Sequence, residues 1–263
     1  MNEIIEKLIN LQTQIHQKNC ERSSEFDEDQ ENLMFSETHD GFLKIYYYGT
    51  ELREEVFSFL SNQEYAERIR SLRFDSPDEG ANGTNNFDFS TLIESDVIFT
   101  NLRNFSVKLT KLEDHNGTII GDIYEEDGQV ARLIQKMPNL LSLQIPSAPN
   151  SNFFDLGNHP LELLTVQTGF DHQNFILSFS ESNCFPKLRY LDFTDFQETY
   201  VENWQDECVP FEHFVKLLNS KAFDSIRVII LRNVNLTNEQ IAELKSLRKN
   251  ISFRMIKTSS NYV

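Results

Sequence analysis

Glycine is scarce, nine in 263 residues, and none of them falls into G-x-x-x-x-G-K or G-x-G-x-x-G. The chain therefore lacks the backbone loop that cradles a nucleotide phosphate. G-x-S-x-G and H-E-x-x-H are missing too, which removes the nucleophile elbow of a hydrolase and the helical zinc pair of a metalloprotease. Three cysteines, Cys20, Cys184 and Cys208, make neither an even framework nor a C-x-x-C pair, so no disulfide set or thiolate metal site is expected. No apolar run is long enough to cross a bilayer, and Glu3 and Glu6 stand where a secretory leader would be basic. The expectation is a cytoplasmic, reduced protein that is not an enzyme, with no cofactor, no metal and no membrane.

Basic residues are also in short supply: 24 Lys and Arg face 41 Asp and Glu, a net charge of -17. Like charges repel, so nucleic-acid phosphates and anionic membranes are disfavoured and a protein with a basic surface is favoured. The same acidity would also serve solubility alone.

What is abundant is core-forming material, 39% apolar residues with 12% aromatics, enough for a sizeable interior. Ile4, Leu8, Leu11 and Ile15 recur at helical spacing, which predicts an amphipathic helix over 3–18. "ERSSEFDEDQE", 21–31, reads as an acidic linker, so residues 1–32 are set apart from a domain over 33–263. "FLKIYYY" from 42 and "ELREEVFSFL" from 51 form strand and helix patterns, taken as an N-terminal cap within about 33–68.

Beyond the cap, one pattern recurs: an apolar residue, two others, an apolar residue, one other, a third apolar residue. It appears as "IRSLRF" (69–74), "LRNFSV" (102–107), "LLSLQI" (140–145), "LELLTV" (161–166), "LRYLDF" (188–193) and "IRVIIL" (226–231). Alternation at the end of each unit puts two apolar side chains on one strand face. One unit cannot bury that face alone, but units stacked side by side in a parallel sheet can. The central residues Leu72, Phe105, Leu140, Leu164, Leu191 and Ile229 are separated by 33, 35, 24, 27 and 38 residues, so several units carry insertions. Helical segments lie between them, and in "LTNEQIAEL" Thr237 and Gln240 have the spacing of a reciprocal capping box.

Residues 226–244, "IRVIILRNVNLTNEQIAEL", resemble a leucine-rich repeat of the ribonuclease-inhibitor-like type. Ile226, Ile229 and Leu231 match its strand, Leu236 and Thr237 its turn, and Ile241 and Leu244 its helix. Val234 stands where that family has a turn-bonding Cys or Asn. The spacing is also similar to that of small bacterial leucine-rich-repeat proteins. The resemblance implies an α/β fold, a leucine-rich-repeat solenoid with a curved parallel sheet on its concave side and helices and loops on its convex side, to which the apolar spacing of residues 3–18 adds an N-terminal helical extension. It also implies a recognition scaffold, since an acidic horseshoe of this family can clamp a basic nuclease.

The outward strand positions, from Ser71 and Arg73 through Tyr190 and Asp192 to Val228 and Ile230, then form the binding strip. After Phe193 and Phe196, assigned inward, "QETYVENWQDE" is longer than a repeat needs. Its Glu198, Tyr200, Glu202, Trp204, Asp206 and Glu207, with Tyr190 and Asp192, are the candidate partner-binding residues. Aromatics among carboxylates offer stacking and charge to a cationic side chain; alternatively, Trp204 packs over the sheet edge. The Asp171–His172 pair reads as a turn or helix cap, and the acids of 122–128 read as a solvated loop. The function expected is that of an immunity or antitoxin-like toxin inhibitor acting on a basic protein. The alternative is an adaptor docking through Ile4, Leu8, Leu11 and Ile15.

Overall fold

Strand-forming and helix-forming segments alternate along most of the chain, and the computed structural model describes them over residues 3–21, 30–50, 53–78, 83–121, 126–195 and 204–258. Helix α1 (Glu3–Glu21) precedes β1 (Asn32–Glu37), β2 (Leu43–Tyr48), α2 (Arg53–Leu60), α3 (Gln63–Ala66) and β3 (Ile69–Asp75). Next come β4 (Gly83–Phe87), α4 (Ser90–Glu94), β5 (Asn104–Val107), β6 (Asn116–Ile120), α5 (Gln129–Gln135) and β7 (Ser142–Ile145). The chain continues through β8 (Leu163–Gln167), α6 (Phe175–Glu181), β9 (Tyr190–Thr194), α7 (Trp204–Glu207), α8 (Phe211–Asn219), β10 (Val228–Arg232), α9 (Asn238–Leu247) and β11 (Ser252–Ile256).

The architecture is α/β, with a mostly parallel nine-stranded sheet in the order β1-β2-β3-β5-β7-β8-β9-β10-β11. Only β1 and β2 are antiparallel; every later neighbour is parallel. β4 and β6 are left out of this order and pair with each other. Among the described residues no helix is long and apolar enough to cross a membrane.

All six apolar units become adjacent strands. In the ladder Leu72 faces Phe105, Phe105 faces Leu143, and Leu164, Leu191 and Ile229 continue the row. This corrects the sequence register at one place. Leu143, not Leu140, is the central residue of its unit, and the separations around it become 38 and 21 residues. Leu140 is the apolar residue that arrives from the preceding turn, and it is also fully buried. Inward residues of these strands join the buried faces of the helices in one cluster.

Phenylalanine does much of the filling. Phe57, Phe74, Phe87, Phe89 and Phe105 meet with ring centroids 5.1–6.4 Å apart. A second group sets Phe193 parallel to Phe175 at 5.9 Å and edge-on to Phe214 at 6.3 Å. Wide rings occupy the interior at separations favourable to their quadrupoles.

The helix predicted over 3–18 is present, and Ile4, Leu8, Leu11 and Ile15 are buried. Its packing partner, not evident from the sequence, is the β1 edge. Gln12 Nε2 donates to the Leu33 carbonyl at 2.6 Å, and Asn19 exchanges hydrogen bonds with the Glu31 backbone at 2.8 and 3.2 Å. Glu31, placed in the linker by its composition, is 6% exposed and accepts hydrogen bonds from the Tyr47 hydroxyl and the Thr50 amide. The apolar face that an adaptor would present is thus occupied within the chain.

The turns after the strands carry small polar side chains close to the position of Val234, where the sequence resemblance would place Asn or Cys. Two residues beyond the third strand position stand Ser76, Ser147, Thr168, Asp195 and Asn233, all buried; only Leu109 breaks the series. Ser147 Oγ accepts the Ile120 amide, Asp195 the Val209 amide and Asn233 the Thr258 amide, each at 2.9 Å. Buried amides need partners, and a small polar side chain one residue earlier than expected supplies them. The predicted capping box is also present: Gln240 N donates to Thr237 Oγ1 at 3.2 Å, and Thr237 N donates to Gln240 Oε1 at 2.8 Å.

Candidate functional site

Strand alternation leaves one face of the large sheet outward, and on it the predicted strip is found. Ser71, Ser106, Ser142, Gln144, Thr165, Tyr190 and Val228 are half-buried, and Arg73, Asn104 and Leu163 are exposed. Asp192 and Ile230 depart from the expectation, at 4% and 5% exposure.

Asp192 is covered because it is paired. Arg232, its diagonal neighbour on β10, places Nε 2.7 Å from Oδ1 and an Nη 2.9 Å from Oδ2, a two-pronged ion pair. The Tyr190 hydroxyl donates to Asp192 Oδ2 at 3.1 Å. Burial and the Asp192 charge push the Tyr190 phenol above its usual range, while the hydrogen bonds that Arg232 donates to Asp192 raise the guanidinium above its own. Asp192 stands among the candidate partner-binding residues, and in the structure its charge is paired with Arg232.

A similar arrangement closes the other end of the face. Arg73 donates to Asp75 at 2.7 and 3.1 Å and lies over the Tyr46 ring at 5.1 Å. Burial first, then the Asp75 charge, pushes the Tyr46 phenol up to about 12. The charged side chains on the outward face are Lys44, Arg73, Arg232 and Arg254 against Asp75 and Asp192. Among the described residues the outward face is therefore not acidic.

The described residues that flank 196–203 are tied to their neighbours. Asp195, 1% exposed, accepts the Val209 amide through its carboxylate, and its own amide donates to the Arg232 carbonyl at 2.9 Å. Asn235 Nδ2 donates to the Gln205 carbonyl at 3.1 Å, tying α7 to the turn after β10. Asp206 and Glu207 are exposed on α7, while Cys208 and Val209 are buried behind them. Glu198, Tyr200 and Glu202, with Phe196, lie outside the described residues, and of Trp204 only the helical backbone is described. Of the eight candidates, contact is shown between Tyr190 and Asp192 alone.

Arg232 and Asp195 were missed by the sequence reading. Their signal is weak but present: Arg232 continues the outward alternation of Val228 and Ile230, and Asp195 belongs to the small polar series after the strands. Elsewhere, Asp171 and His172 act as turn residues. Their side chains accept the Gln173 and Asn174 amides at 2.7 and 2.9 Å, where the backbone takes φ of 49° and 51°. Of the acids in 122–128, residues 122–125 lie outside the description, and Glu126 is buried and capping α5. It accepts the amides of Gly128 and Val130, and burial raises its pKa.

No family model, characterised protein or solved structure matches the chain.

Proposed function

We propose that the chain is a non-catalytic protein-interaction module, a leucine-rich-repeat-like solenoid with degenerate spacing. In this reading it acts in the cytoplasm as an acidic inhibitor, of the immunity or antitoxin kind, of a protein with a basic surface. The observation that carries the binding site is the exposed acidic face of α7 after β9. The Asp195 carboxylate accepts the Val209 amide and Asn235 donates to the Gln205 carbonyl, and Asp206 and Glu207 stand exposed on α7 with no ion pair among the described residues. The solenoid reading is supported by strands stacked in chain order, the in-register apolar row and the polar series after the strands. Such stacks present extended surfaces for recognition.

With Asp192 neutralised, the charge in this reading comes from the 198–207 segment, while Tyr190 and Leu163 supply apolar area. The adaptor alternative would require α1 to leave the body and expose Ile4, Leu8, Leu11 and Ile15. The test is affinity capture with the full chain at low and high salt, beside the reversal Asp206→Lys with Glu207→Lys. A single cationic protein should be retained at low salt, released at high salt and lost on reversal, with the thermal transition unmoved. Retention indifferent to both salt and charge reversal would defeat the reading.

A further inference from the structure

The charge of this acidic chain is distributed unevenly. Residues 244–263 contain Lys245, Arg248, Lys249, Arg254 and Lys257 and no acid, which leaves -22 for the first 243 residues. This basic stretch surrounds β11, the last strand of the sheet. Arg248 is used internally: it donates to the Leu218 and Ser220 carbonyls and pairs with Asp224 at 3.1 Å. Lys245, Lys249, Arg254 and Lys257 are exposed, and none has an ion pair among the described residues. Lys245 Nζ lies 6.0 Å from the Phe253 ring centroid.

The edge itself is open. Ser252 N donates to the Arg227 carbonyl and Asn233 N donates to the Ile256 carbonyl, so residues 252, 254 and 256 turn their backbone groups toward β10. By strand alternation the amides and carbonyls of Phe253 and Met255 face the other way, where no strand is paired among the described residues. The opposite edge, β1, is covered by α1. Phe253 and Met255 also continue the inward row of Ile229 and Leu231, yet they are only partly buried. The core is thus incompletely closed at this end. On the outward face, Arg254 projects into solvent.

We propose that β11 takes up an extended acidic segment of a protein partner as a tenth strand. Main-chain hydrogen bonds to Phe253 and Met255 would provide the pairing. Alternate apolar residues would complete the cover over Phe253 and Met255, and the intervening acids would face Arg254, with Lys257, Lys249 and Lys245 at the rim. The same basic side chains repel an identical edge, which disfavours a second copy of this chain and selects an acidic segment. Screening over ~8 Å at physiological salt keeps the local cations dominant over the distant net charge.

The test uses the full chain and capped, fluorescent hexapeptides at physiological salt. Alternating glutamate and valine should bind at least tenfold more tightly than alternating lysine and valine. It should also bind tenfold more tightly than three glutamates followed by three valines. Arg254→Glu with Lys257→Glu should weaken it at least tenfold. Met255→Pro removes an outward amide donor that the fold does not use and should abolish binding. Should that variant unfold, N-methylation of alternate peptide amides in one register must remove binding to the unaltered chain. Equal binding of the block peptide would reduce the effect to charge alone and overturn the proposal. So would competition by oligothymidylate, or a dimer of the chain lost with the same substitutions. Asp206→Lys with Glu207→Lys should leave peptide binding unchanged, so failure here is separate from failure of the 198–207 site.

Discussion

The Asp192–Arg232 pair should respond unequally to loss of either partner, because the two ends differ in burial. The Asp192 side chain is 5% exposed and that of Arg232 is 34% exposed. Arg232→Ala leaves a buried carboxylate whose remaining partner is the Tyr190 hydroxyl. Stranding a buried charge costs ~3–5 kcal/mol, and with one hydrogen bond retained and water able to enter the vacated space we expect about 3 kcal/mol. Asp192→Ala instead frees a guanidinium that is a third exposed and can rehydrate. That loss is nearer an exposed pair plus one hydrogen bond, about 1–1.5 kcal/mol. Urea denaturation of both single variants and the double variant measures each cost and the coupling between them. For a chain of this size ~3 kcal/mol corresponds to a fall of roughly 6–12 °C in Tm. A cost for Asp192→Ala equal to or above that for Arg232→Ala would refute the burial argument.

Other expectations follow from neighbouring sites. Phe193→Ala deletes a fully buried ring stacked on Phe175 and should cost ~3–5 kcal/mol, read as a lower urea midpoint; a loss under ~1 kcal/mol would contradict the assigned packing. Trp204→Ala with Glu202→Ala should weaken partner binding while leaving the thermal transition in place, and collapse of that transition would make the segment core. At high pH, Tyr46, with its folded pKa near 12 above the ordinary value of ~10, contributes stability that is whole below pH ~10. That contribution is lost as pH rises through about 12, because the unfolded phenol ionises first. Tyr46→Phe should flatten this alkaline slope in pH-dependent urea titrations, and an unchanged slope would remove Tyr46 as its source.

The parts of the fold legible in the sequence were those whose burial is one-sided and periodic. The six strand units, the α1 face and the Thr237 cap follow from apolar spacing and local hydrogen-bond chemistry, which short windows contain. β4 and β6, "GTNNF" and "NGTII", were not seen because their small polar residues carry no alternation. β1 was missed for a related reason: as an edge strand it fully buries only Leu33. The register slip at Leu140 arose where "LLSLQI" offers four apolar residues, and only the neighbouring strands decide between them. At the candidate site, the outward direction of Tyr190 and Asp192 was readable, but the neutralisation of Asp192 was not. Its partner lies 40 residues away, and that meeting is created by the parallel register of β9 and β10.

The order of strands across the large sheet has a mechanical consequence. β1 and β11 are the opposite margins of the sheet, and each of the seven strands between them (β2, β3, β5, β7, β8, β9 and β10) is hydrogen-bonded to a neighbour on both sides. Tension applied between the ends of the chain would pull across the strands and load one ladder at a time, so the sheet should give way by peeling. The α1 cover stiffens one margin, and rupture should start at the other, with β11 detaching before β10. Force-extension traces would then show a series of small, unequal steps, their lengths set by the 21 to 38 residues between successive central residues.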